Sequence, residues 1–479
     1  MTAIEQTQRA NARRNIGLIG LALPVFAGTL CLSAMLLFSV QPMFTKMVLP
    51  LLGGSPGVWS VAMVFFQAML LAGYAYAHGV TKLFDARVAV GIHLAVFALA
   101  LFTLPLALAS GFGKPPADGE AIWLIGLFSF SIGLPFFAVA ANAPMLQAWF
   151  SRTEHPQARD PYFLYGASNL GSFVALLAYP VVLEPFLTLR QQSLAWTFGF
   201  VLLMVMIGVA GLLMAATLRP ASQAETEEKA AAVTPSARDR LSWIALAFVP
   251  SAMLLAVTSH ISTDIASAPF LWVVPLAIFL ATFIFTFRSG GDATHRWMVR
   301  LQPFIAAPLV IGLFGGERAY WMVVLVLDLL MLAVTAMICH RELYLKRPDA
   351  HFLTGFYLWI SVGGVLGGIF AGLVAPALFP DVWDYPILIV LALLCRPGAF
   401  DGGWRPWLVG GAIFCARDCG MAAACLRRAL AGEREKRLDD GPGIDLGLHH
   451  DQCQQAGATR RCDVIRLDPD RTLSARHRA

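Results

Sequence analysis

The residues able to do chemistry in this chain are few, and they interrupt long apolar stretches. Gln41, Lys46, Asn142, Asn169, Glu184, His260, Asp264 and Asp328 lie in or beside such stretches. A charge at bilayer depth costs at least about 2.5–3.5 kcal/mol on insertion scales, so it faces a bundle interior or water and marks a substrate or ion path. On that ground these residues are the candidate pathway. Asp328 is the deepest charge and reads either as a proton or cation site or as a carboxyl held by a neighbouring helix. Ser33–Lys46 reads SAMLLFSVQPMFTK and Ser251–Asp264 reads SAMLLAVTSHISTD, so Lys46 and Asp264 occupy equivalent positions with opposite charge. They are expected to approach each other at the mouth of a central cavity, against the plainer reading of two separate interfacial charges. His260 is a candidate because imidazole as a side-chain type changes charge near neutrality, although a lone histidine is more often structural. Asn142 and Asn169 act by default as interhelical glue, worth about 0.6–2 kcal/mol.

Other chemistries are missing from the pattern. No Ser/His/Asp or Cys/His arrangement points to catalysis, no phosphate-binding P-loop points to a primary pump, and no cofactor is expected. Five of the eight cysteines follow position 400, and no pair has the CxxC spacing of a zinc or redox site. The net charge of +5 does not indicate a nucleic-acid partner, because the basic residues sit in loops between apolar blocks. The partners expected are the lipid bilayer and a small solute; the oligomeric state is open.

The elements that must position these residues are membrane helices. Apolar residues make up 58% of the 479 positions and charged residues 14%, against about 45–50% and about 25% in soluble chains. Twelve blocks approach the roughly 20 residues that span an oily core. They cover 16–40, 58–78, 86–108, 121–142, 162–185, 193–217, 241–259, 269–287, 301–315, 319–340, 352–379 and 383–395. With the N-terminus inside, the inner loops hold seventeen cationic residues and the outer loops only Lys46, Lys114, Arg190 and Arg318. The positive-inside rule then puts the N-terminus in the cytoplasm, and the setting expected is a bacterial inner membrane. Besides the SAMLL pair, Phe163, Ser168, Gly171 and Ala178 recur as Phe356, Ser361, Gly364 and Ala371, all 193 residues later. The fold class expected is an all-α polytopic membrane protein with about twelve transmembrane helices in two parallel six-helix halves, MFS-like. The division is a cytoplasmic N-terminus (1–15), a first half (16–218), a polar linker (219–240), a second half (241–400) and an atypical tail (401–479).

Three strings are more specific. QPMFTKMVLPLLGGSPGVW at Gln41–Trp59, DPYFLYGASNLGS at Asp160–Ser172 and ICHREL at Ile338–Leu343 resemble the membrane part of bacterial fused MFS/spermidine synthase proteins. The resemblance runs over most of residues 20–400. It implies a transporter-like membrane domain followed by a cytosolic aminopropyltransferase-like domain, and it supplies no transport substrate. Residues after Gly411 contain no strand–GxGxG–helix unit, so no catalytic residue carries over. The tail, rich in Arg, Cys, His and Gln, reads as a shifted frame or as disorder. The function expected is therefore a transporter-like module for a small solute, a small cation among the candidates. The alternatives are a membrane anchor of a polyamine-pathway protein cut before its synthase, and a scaffold that moves nothing.

Overall fold

The computed structural model describes residues 3–52, 56–113, 115–116, 119–219, 234–261, 273–287, 290–315, 321–379 and 383–398. The tail, most of the linker and the loop holding Asp264 lie outside them. Every span expected from the sequence coincides with a helix. These are α1 (Ala3–Leu52), α2 (Pro56–Leu83), α3 (Ala86–Thr103), α4 (Glu120–Phe150), α5 (Pro161–Phe186) and α6 (Leu189–Ala216), then α7 (Ala237–His260), α8 (Val273–Thr286), α9 (Asp292–Gly315), α10 (Trp321–Leu345), α11 (Ala350–Leu378) and α12 (Asp384–Leu394). Among the described residues, nine of these are long and apolar enough to cross a bilayer, and α8 and α12 are shorter apolar helices. Large apolar side chains face outward on many of them, including Phe102, Phe130, Phe198 and Phe304, each at least 75% exposed. That is the surface a lipid-solvated bundle needs.

Several boundaries depart from the expectation: α1 runs on to Leu52 rather than 40 and α4 to Phe150 rather than 142, and two helix starts lie earlier for a visible reason. α9 begins at Asp292 rather than 301, because its polar first turns are held by α10: Asp292 pairs with Arg341 at 2.7 Å and His295 with Glu342 at 3.0 Å. α7 begins inside the expected linker, where Ser236 and Asp239 form a reciprocal capping box.

The helix pairings carry the repeat. In the first half α1 packs on α4, α5 and α6, α2 on α4, and α3 on α6. In the second half α7 packs on α10, α11 and α12, α8 on α10, and α9 on α12. The halves meet through α2 on α11 and α5 on α8, which exchange under the same relation. Two parallel six-helix halves related by an axis along the membrane normal produce this pattern. Glycine makes the tightest crossings possible: a Cβ at Gly171 of α5 would strike the Cys31 carbonyl of α1, and one at Gly363 of α11 would strike the Ile244 carbonyl of α7.

Among the described residues three spans widen into a complete π-turn, at Ser129–Gly133, Tyr179–Leu183 and Phe370–Val374. In each a proline follows two residues on: Pro135, Pro185 and Pro376. Proline has no N–H to donate and its ring crowds the carbonyl four residues back, so the preceding turn opens. The π-turns of α5 and α11 are counterparts in the two halves.

Candidate functional site

A partly open cavity of about 50 Å³ lies between the halves. Phe38, Gln41, Pro42 and Thr45 of α1, Ala62, Met63 and Phe66 of α2, and Leu176 and Tyr179 of α5 line one side. Leu254, Leu255 and Thr258 of α7 and Leu276 of α8 line the other. All of these fall in the part of each helix remote from the loops that carry Lys82, Arg87, Arg152, Arg159 and Arg347, hereafter the basic end. The polar groups on the wall are Gln41, Thr45, Tyr179 and Thr258. Gln41 Nε2 donates to the Leu37 carbonyl at 3.2 Å, and Tyr179 Oη donates to Gln192 Oε1 of α6 at 3.0 Å. The Tyr179 ring sits at the start of the α5 π-turn.

At the basic end the two halves are tied together. Arg347 grips Asp160 through two hydrogen bonds, Nη2 to Oδ2 at 2.9 Å and Nε to Oδ1 at 3.3 Å. Its guanidinium lies over the Tyr344 ring, 3.9 Å from the centroid. Burial alone would lower the Arg347 pKa, but the Asp160 carboxylate outweighs it and raises the pKa, so the group stays charged. Tyr162 Oη donates to the Pro348 carbonyl at 2.8 Å, and Tyr357 Oη donates to Gln147 Oε1 at 2.9 Å. His78 Nδ1 and Thr354 Oγ1 share a hydrogen bond of 2.9 Å.

The candidate residues fall into separate places. Gln41 is on the cavity wall. Lys46 forms an ion pair with Glu184, joining α1 to α5, and both side chains are about a third exposed. The expected partner, Asp264, lies outside the described residues. Asn142 is wholly buried inside the first half: its Oδ1 meets His93 Nε2 at 2.9 Å and its Nδ2 donates to Ser33 Oγ at 3.0 Å. Asn169 Nδ2 donates to the Tyr165 carbonyl of its own helix at 2.8 Å. Neither asparagine is among the lining residues. His260 and Asp328 come together in the second half, with His260 Nε2 3.5 Å from Asp328 Oδ2. Tyr385 Oη of α12 donates to Asp328 Oδ1 at 2.8 Å. Among the described residues no group of three His, Cys, Asp or Glu is arranged to hold a metal ion.

Thr45, Tyr179, Thr258 and Tyr385 were not singled out by the sequence. The available signal was Pro185 for Tyr179, since a proline two residues beyond a turn marks a widened helix.

Among solved structures the chain is similar to a bacterial homologue of the iron transporter ferroportin in an outward-facing state. The TM-score is 0.51 at 14% identity, covering 77% of this chain and 96% of that one. It is also similar to the proton:xylose symporter XylE of the major facilitator superfamily bound to 6-bromo-6-deoxy-D-glucose (TM-score 0.49, 14% identity, 80% of this chain and 95% of that one). A further similarity is to the xylose transporter XylE from E. coli in an inward-open conformation (0.47, 12%, 79% and 94%). No family model matches the chain, and no curated protein matches it. Identities this low speak to fold alone, and the two scores under 0.5 add no weight. The helix pairing and the first similarity together make the described bundle an all-α, MFS-like polytopic membrane fold.

Proposed function

We propose that this chain is a secondary transporter that passes a small solute through the cavity between its halves by alternating access. The observation that carries the reading is a cavity set between two pseudo-symmetric halves whose side chains lock together at the basic end. The loop charges support a cytoplasmic basic end in a bacterial inner membrane, which makes this an outward-facing arrangement. Gln41, Thr45, Tyr179 and Thr258 offer a few hydrogen-bonding groups on a largely apolar wall, the usual composition of a small-molecule site. No carboxylate is among the described lining residues, and Glu184 is held by Lys46. The described wall suits a neutral or weakly polar organic solute, and the small cation expected from the sequence is the other candidate.

A second reading, the membrane anchor of an aminopropyltransferase-like protein, is supported by the strings at Gln41–Trp59, Asp160–Ser172 and Ile338–Leu343. Proteoliposome uptake separates the two. A panel of neutral organic solutes, amino acids and polyamines is offered with and without a pH gradient. The transporter reading expects uptake of a neutral solute, abolished by Thr258→Trp, which fills the cavity. No flux across the panel, or flux unaffected by Thr258→Trp, sinks it.

A further inference from the structure

We propose that Asp328, with His260 and Tyr385, forms a proton-binding site inside the second half, apart from the solute cavity, and that α7 connects the two. The coupling rests on the transporter reading above; the binding of a proton does not.

Asp328 is fully buried in α10, seven residues from the helix start at Trp321, or about 10 Å along the axis. One carboxylate oxygen, Oδ1, accepts the hydrogen bond of the Tyr385 hydroxyl. The other, Oδ2, receives no hydrogen bond among the described residues and lies 3.5 Å from the His260 imidazole. The His260 ring also stacks on the Tyr385 ring, with centroids 6.0 Å apart. A proton shared between Oδ2 and Nε2 leaves the site neutral overall. Its loss leaves a bare carboxylate in a low-dielectric interior beside a neutral ring, which is unfavourable unless the helices shift. Proton binding is thus tied to geometry.

Among the described residues no permanent cation stands beside Asp328 to settle it as a fixed ion pair. Besides His260 on α7, α12 presents Tyr385 and Asp384, and Asp384 is a second acid whose field reaches His260. α8 contains no titratable residue, and those of α9 (Asp292, His295, Arg296 and Arg300) lie in its first turns at the basic end. One carboxylate, one imidazole and one phenol suit a proton better than a metal ion.

The repeat argues that this cluster is not scaffold. The residue of α1 equivalent to His260 in the SAMLL alignment is Pro42, and α4, the counterpart of α10, has no charged residue after Glu120. The first half folds the same way without a buried acid. α7 carries the connection physically: Leu254, Leu255 and Thr258 line the cavity, and His260, two residues on, contacts Asp328.

Two measurements on the purified protein test this without a known solute. Infrared difference spectra between about pH 5 and about pH 9, in water and heavy water, report protonation of carboxyl and imidazole groups. They should show a protonation signal of carboxyl or imidazole that Asp328→Asn removes and Tyr385→Phe moves to another pH. Labelling of Thr258→Cys by an impermeant thiol reagent, in a background lacking the other cysteines, should change over the same pH range and lose that dependence when Asp328→Asn is added. Should Asp328→Asn not fold, His260→Gln and Tyr385→Phe keep the carboxylate and must each shift the midpoint. A signal that persists in Asp328→Asn, or a midpoint that neither milder variant moves, overturns the proposal. A site that titrates as expected in a protein that carries no solute would leave this inference standing and remove only the transport reading.

Discussion

Lys46 and Glu184 show how far single residues could be read in advance. Both were visible as charges near the ends of apolar runs, but their pairing was not, because α1 and α5 are far apart in sequence. The pair is partly exposed, so water screens it and its net contribution is small. Replacing either residue by alanine should lower stability by no more than about 1 kcal/mol; thermal unfolding in detergent measures this, and a drop several-fold larger would show a buried role. Gln41 lies on the cavity wall, while Asn142 bonds α1, α3 and α4 together. Thr45, Tyr179 and Thr258 escaped notice for a physical reason. In a soluble helix the polar face gives away the inner face, but here lipid and core are equally apolar, so the wheel has no marked side.

Elements were far easier to read than faces. Twelve apolar blocks became twelve helices because a bilayer demands length and hydrophobicity, and both are linear properties of sequence. Register between the halves was harder. The offset of 193 residues misplaces the starts of α5 and α11: both open with Asp-x-x-Phe-Leu-x-Gly, and their α-helical parts begin at Leu164 and Leu353, an offset of 189. The prolines after the π-turns, Pro185 and Pro376, are offset by 191. No ungapped alignment can satisfy both. The glycine contacts at Gly171 and Gly363 belong to this scale. Gly171→Ala or Gly363→Ala drives a methyl into a partner backbone carbonyl and should cost about 1–3 kcal/mol of overpacking. The measurement is the melting temperature in detergent. Gly166→Ala, where a Cβ would meet open space, serves as the control and should be nearly silent.

For the whole molecule, the question is what holds the basic end shut. The Asp160–Arg347 fork and the Tyr162–Pro348, Tyr357–Gln147 and His78–Thr354 bonds all join the two halves there. Each contributes on the order of 1 kcal/mol, so no one of them is expected to hold the conformation alone. Asp160→Ala combined with Tyr357→Phe should raise labelling of a cysteine at Thr354 from the basic side and reduce labelling of Thr258→Cys from the other. Unchanged labelling at both positions would mean that packing of α2 on α11 and α5 on α8, rather than these polar bonds, sets the conformation.

The π-turns also bear on how the chain tolerates changes in its length. Such a turn already holds about one residue more than the α-turn it replaces. Removing one residue within Tyr179–Leu183 can therefore relax the turn to an ordinary one while both flanking segments keep their neighbours. The same deletion between Gly166 and Gly171 would swing everything on one side of it by about 100° and turn Gly171 away from Cys31.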